Sequence, residues 1–213
     1  MKKFELTSEF ITNIFGVKLF RIKALVGFGN VEKGELGGYV EKEENLSHGG
    51  NAWVCGNARV YGNARVCGNA RVCGNAWVCG DAWVYGNARV YGNARVYGDA
   101  EVYGDARFCG NAEVYGDARF CGNARVCGNA WVCGDADYTT AKGFGSEYRT
   151  TTFFKQKGYS IGVRCGCFYG TIDEFRDKVK ETHGESKLAK EYLMLADLME
   201  FHFNDDDEVK ENE

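Results

Sequence analysis

The chain has 213 residues, 45% of them hydrophobic, and a formal net charge of −4. That length suits one elongated domain with capping elements better than several independent domains, and the charge argues against a general affinity for nucleic acid or acidic membranes. Any basic site must therefore be local.

The start, Met1-Lys2-Lys3-Phe4-Glu5-Leu6, lacks the apolar run of a secretory signal, and no segment reaches the length of a membrane span, so a cytoplasmic location is expected. The ten cysteines are accordingly read as free thiols. Residues 17–25 have strand character, with Phe20, Ile22 and Ala24 on one face, and the glycine-rich stretch 28–40 reads as degenerate first coils of the array that follows. Residues 1–49 are expected to cap that array.

Residues 50–139 carry a six-residue repeat: Gly, Asn or Asp, Ala, a variable residue, Val or Phe, then Tyr or Cys. Ala and Val are two apart and so face the same way in a strand, while the variable residue and the Tyr/Cys face outward. Gly with Asn or Asp supplies positive φ, so the chain is expected to turn after each four-residue strand. Three repeats close a triangular coil of 18 residues. At that spacing the corner column Asn63, Asp81, Asp99, Asp117, Asp135 collects four of the five corner aspartates, while Asn57, Asn75, Asn93, Asn111 and Asn129 are all asparagine.

Val54 followed by Ala58, and Val60 by Ala64, place an aliphatic residue four before a small one. In this the chain resembles the hexapeptide-repeat left-handed β-helix proteins, which implies a three-sided, left-handed solenoid. Over the cap and into the repeats, through Glu43-Glu44-Asn45-Leu46-Ser47, it resembles uncharacterised hexapeptide-repeat proteins of bacteria and their phages, some labelled transferases. That resemblance implies a phage or prophage source and brings no established activity with it.

Residues 18 apart become vertical neighbours in such a coil. One face then carries Trp53, Arg71, Arg89, Arg107 and Arg125; the second Arg59, Trp77, Arg95, Glu113 and Trp131; the third Arg65, Trp83, Glu101, Arg119 and Asp137. On the second and third faces opposite charges adjoin, but four arginines stacked on the first should repel unless they fan into solvent or meet an anion. This arginine face is the candidate binding site, with a secondary acidic corner at Asp81, Asp99, Asp117 and Asp135. Vertical pairs such as Cys55/Cys73 and Cys109/Cys127 lie close enough to cross-link on oxidation.

After residue 139 the composition shifts. Residues 149–154 and 159–165 read as two strands turning at Lys157-Gly158. Val163, Cys165, Cys167 and Tyr169 alternate on one strand face, and Cys165-Gly166-Cys167 has no second Cys/His pair that would make it a zinc site. Thr171-Ile172-Asp173-Glu174 has capping-box spacing and should start a helix towards His183. A second helix over 186–203 puts Leu188, Tyr192, Leu195 and Met199 on one stripe, a candidate oligomer contact. Residues 140–203 are thus expected to form a hairpin and helical cap, and 204–213 an acidic solvated tail.

Acyltransferases of the resembled family use a histidine base and a loop projecting from the coils. Here His48, His183 and His202 all lie outside the regular repeats, and no loop interrupts residues 50–133. The expectation is a mainly β solenoid without enzymatic activity, cofactor or metal, which binds a host macromolecule through a rigid surface, for instance as a phage-encoded inhibitor of a host defence or nucleic-acid enzyme. The alternatives are a self-assembling scaffold or an acyltransferase-like enzyme. A homo-oligomer is expected, with an acidic protein a better partner than nucleic acid.

Overall fold

Every repeat alanine from Ala52 to Ala130 and every repeat valine or phenylalanine from Val54 to Val132 is fully buried, so the period-2 pattern of the repeat becomes a continuous apolar interior. The computed structural model describes residues 1–158 and 160–204. The chain divides into two compact units, Met1–Asp135 and Ala136–Glu213.

In the first unit each repeat contributes a two-residue strand, such as Arg59–Val60 or Trp77–Val78, paired in parallel with the strand 18 residues away. The strands are shorter than the four residues expected, because the chain turns after each one. Only the glycine of each corner takes positive φ, from Gly50 at 66° to Gly128 at 67°; none of the corner Asn or Asp residues does so. Their side chains act between coils instead. Asn51 Nδ2 donates to Asn69 Oδ1 at 3.1 Å, Asn69 to Asn87 at 3.1 Å and Asn87 to Asp105 at 3.1 Å. A second amide ladder runs from Asn57 through Asn75, Asn93 and Asn111 to Asn129.

Three parallel sheets result. The longest begins with an antiparallel extension: β1 (Phe4–Thr12) pairs with β2 (Lys18–Ala24), β2 with β3 (Leu36–Val40), and β3 joins the solenoid in parallel through Tyr39 opposite Arg59. The glycine-rich segment therefore does form a first rung, and Leu46 supplies another by bridging to Val66. The hairpin partner β1 is not among the strands expected from the sequence, although Phe4 and Leu6 alternate with Glu5 and Thr7, and Phe10, Ile11 and Thr12 are strand-favouring residues.

In the array the backbone N–H groups of the Asn/Asp, variable and Tyr/Cys positions donate to carbonyls of the following coil, as Trp53 N to Ala70 O, so the Gly, Ala and Val carbonyls of the first coil have no preceding coil to donate to them. Particular residues meet them. Lys3 Nζ donates to Ala52 O at 2.8 Å and Gly50 O at 3.4 Å, Asn45 Nδ2 to Ala64 O at 2.8 Å and Gly62 O at 3.1 Å, and the Tyr39 and Ser47 amides to Ala58 O and Val66 O. Residues 1–49 thus close one end of the solenoid.

Lys3 is 3% exposed, beneath the Phe28 ring, and burial lowers its pKa to about 8. The unfolded chain holds this proton up to about pH 10.5, so between the two values it binds more protons than the folded protein, and stability rises with pH. From pH 8 to 9 this gain is expected to be about 1 kcal/mol, or about 2–4 °C in Tm. A thermal melting series should show this increment in the wild type relative to Lys3→Met.

The second unit is an antiparallel meander of Tyr138–Phe144, Arg149–Lys155, Ile161–Cys165 and Phe168–Thr171, followed by α1 (Ile172–His183) and α2 (Lys187–Phe203). Its core joins Phe153, Ile161 and Val163 to Phe175, Val179, Tyr192 and Ala196. The capping box of α1 is formed, with Glu174 N donating to Thr171 Oγ1 at 3.3 Å and Thr171 N to Glu174 Oε2 at 2.8 Å. Cys165-Gly166-Cys167 is a tight turn, with Gly166 at φ 58°, so Cys165 and Cys167 do not share a strand face. Tyr159 and the acidic run Asp205-Asp206-Asp207-Glu208 lie outside the described residues.

Candidate functional site

The outward position of each strand is set by its inward neighbours, and the observed register assembles the arginine ladder as read from the sequence. Arg71 pairs with Arg89, Arg89 with Arg107 and Arg107 with Arg125. Trp53 occupies the preceding rung, opposite Arg71, but it is not part of the surface. It is 1% exposed, with the Phe28 ring edge-on at a centroid distance of 5.5 Å. The close approach of Gly37, where a Cβ would lie 2.7 Å from Trp53 Cζ2, lets the N-terminal segment cover the indole.

On the other two faces the arginines meet carboxylates or indoles rather than one another. Arg95 pairs with Glu113 at 3.6 Å and Arg119 with Glu101 at 3.9 Å. Trp77 lies between the guanidiniums of Arg59 and Arg95, at 5.0 and 5.1 Å, and Arg65 stacks on Trp83 at 5.5 Å. Tyr85 and Tyr103 stack at 5.0 Å, as do Tyr97 and Tyr115 at 5.2 Å. Burial, together with its hydrogen bond to Glu101 at 3.0 Å, pushes the Tyr85 phenol up to about 12, so it stays neutral. Trp131 is exposed at the last rung of the second face. Asp137 does not extend the third face: it sits in a short 3-10 turn of the second unit, is buried, and pairs with Lys155 at 3.1 Å.

On the arginine face, by contrast, no carboxylate lies within ion-pair distance of Arg71, Arg89 or Arg107 among the described residues. Beside them, along the Asn51–Asn69–Asn87–Asp105 ladder, runs an open groove of about 310 Å³ lined almost wholly by polar groups. An extended row of guanidinium donors with an amide wall is suited to an acidic surface.

The acidic corner is also assembled. Asp81, Asp99, Asp117 and Asp135 are all exposed along one edge, between the second and third faces. Carboxylates cannot donate, so the amide ladder stops there after Asn63 Nδ2 reaches Asp81 at 3.0 Å. Asp135 also caps the end of the array by accepting from Arg119 N at 2.7 Å. Among the described residues no grouping of His, Cys, Asp and Glu has the arrangement of a metal site.

Cys55 and Cys73 are joined in a disulfide, which corrects the reading of all ten cysteines as free thiols; their Cα atoms, on adjacent coils, are 4.7 Å apart. His48 is held at both ring nitrogens, accepting from Lys3 N at 3.1 Å and donating to Glu43 at 2.6 Å. The α2 stripe read as an oligomer contact is mostly core: Tyr192 and Met199 are buried, Leu195 packs against the same cluster, and Leu188 is half-buried. The exposed apolar residues of α2 are Met194, Leu198 and Phe201.

Residues 52–68, 64–80, 82–98, 88–104 and 118–134 match the family model of the YdcK beta solenoid repeat. No curated protein matches the chain. With this match, the 18-residue register and the buried Ala/Val interior, the chain is a repeat β-helix protein similar to the YdcK beta solenoid repeats.

Proposed function

We propose that this protein is a non-enzymatic binding module whose arginine ladder engages an acidic partner macromolecule. The carrying observation is the contrast between faces. Arg95 and Arg119 have vertical carboxylate partners, whereas Arg71, Arg89 and Arg107 stack on one another with none among the described residues. Like charges directly opposite on neighbouring strands are destabilising, and an anionic partner converts that repulsion into charge-assisted hydrogen bonds. The rungs are fixed by backbone pairing on both sides, so little backbone ordering is needed on binding.

A fluorescent poly-L-glutamate probe tests the reading by anisotropy. Wild type is expected to bind it with an affinity that falls as salt rises, and Arg89→Glu/Arg107→Glu to weaken binding at least about tenfold. Equal binding by the variant, with its Tm unchanged, would refute the assignment of the arginine face.

A further inference from the structure

Two columns of like charge on the solenoid stay uncompensated, and they have opposite signs and the same period. Arg71, Arg89 and Arg107 have no carboxylate within ion-pair distance, and Asp81, Asp99, Asp117 and Asp135 have no cation within that distance among the described residues. Each aspartate lies ten residues after an arginine of the ladder, so the two sets occupy the same coils. Both repeat every 18 residues and hence at the strand spacing of about 4.8 Å. In the triangular cross-section the aspartate corner, between the second and third faces, lies opposite the arginine face.

We propose that the acidic partner of the arginine ladder is a second copy of this chain, docked side by side so that the aspartate corner of one solenoid lies along the arginine face of the next. This rests on the acidic-partner reading of the same face and names its occupant. Rung meets rung: Arg71, Arg89 and Arg107 of one copy face Asp81, Asp99 and Asp117 of the other. The corner is a ridge, and the open groove beside the arginines gives it room.

The pitch selects the partner. Same-side residues of an extended peptide recur about every 6.6–6.8 Å, so an acidic strand lying along the solenoid axis drifts out of step with rungs about 4.8 Å apart. Single-stranded nucleic acid is also a poor fit, because its binders interleave aromatic platforms with the cations, and the only aromatic residue of this ladder, Trp53, is buried. A stack of parallel strands matches the pitch by construction, and this chain carries one with acidic rungs. Because the two contacting surfaces differ, the association is heterologous, and because they lie on opposite sides of the solenoid it does not close, so copies add side by side into open rows.

Sedimentation velocity at about 50 mM salt, where exposed charges are weakly screened, tests this on the full chain. Wild type is expected to at least roughly double its mean mass as concentration rises, and to lose that gain at high salt. Arg89→Glu/Arg107→Glu and Asp99→Arg/Asp117→Arg should each stay monomeric. Their equimolar mixture should recover association, because each variant then offers the charge the other lacks. The neutral pairs Arg89→Gln/Arg107→Gln and Asp99→Asn/Asp117→Asn, which avoid reversing charge on a stacked ladder, should also stay monomeric, with melting curves matching wild type. Wild type that stays monomeric yet binds poly-L-glutamate would overturn self-docking and leave the acidic-partner reading standing. Wild type that does neither would overturn both. Association of the single-face variants as strong as wild type would place the contact elsewhere and overturn the proposal.

Discussion

Phe108→Ala is expected to destabilise the solenoid by about 3–5 kcal/mol, the range for emptying a buried aromatic site. At most rungs the interior is filled by Ala and Val alone, but Phe108 and Phe120 enter it from two different sheets of one coil and meet edge to face, their centroids 4.6 Å apart. Both are fully buried. Truncating one therefore removes its own burial and the ring contact of the other, and the fixed strand spacing limits how far the walls can move in to fill the space. Phe108→Val restores the residue found at the equivalent rungs Val72, Val90 and Val126 and should cost less than Phe108→Ala. Denaturant midpoints of the two variants would check this order; equal midpoints would mean that the two rings do not fill a shared interior.

The second large effect is expected at the corners. Gly104 has φ 67°, and a Cβ placed there would lie 2.8 Å from Gly122 N of the next coil. Gly104→Ala therefore meets two penalties: the left-handed conformation, about 1–2 kcal/mol for a residue with a Cβ, and a clash with backbone that cannot rotate aside. Gly122 separates them. Its φ is 62°, but no atom lies within 4 Å of a Cβ placed there, so Gly122→Ala should suffer only the first penalty. A Gly104→Ala variant that unfolds at a clearly lower denaturant concentration than Gly122→Ala would confirm that stacking, as well as dihedral preference, requires glycine at the corners. Because solenoid stability is passed between neighbouring coils, the loss at Gly104 should also weaken the rungs on either side, readable as faster amide exchange there.

The proposed self-docking also bears on why the two amide ladders and the aspartate corner differ. An asparagine column bonds to itself, each amide donating to the next coil, whereas an aspartate column has acceptors only. Sorting the aspartates into one column gives up internal hydrogen bonds along that edge. A basic partner at the same pitch would use the acceptors.

Much of the first unit was legible from the letters, because its contacts are periodic. Once Ala and Val were placed inward, an 18-residue coil fixed which side chains are vertical neighbours, and the Arg95–Glu113 and Glu101–Arg119 pairs and the arginine ladder followed from counting. The α1 start was legible for a similar reason, since Thr171 and Glu174 cap a helix through contacts three residues apart.

What periodicity could not supply was decided by contacts distant in sequence. The burial of Trp53 depends on residues 28 and 37 folding over it, and the capping of the first coil depends on Lys3 reaching Gly50 and Ala52. The departure of Asp137 from its ladder depends on a buried pair with Lys155, and the burial of Tyr192 and Met199 on the sheet beneath α2. Sequence by itself determined the solenoid and the order of charges along its faces, because each repeat sees the same neighbours one coil away. Tertiary structure alone decided where the array stops and which outward residues are covered, because the ends have no repeat to pair with and must take their partners from elsewhere in the chain.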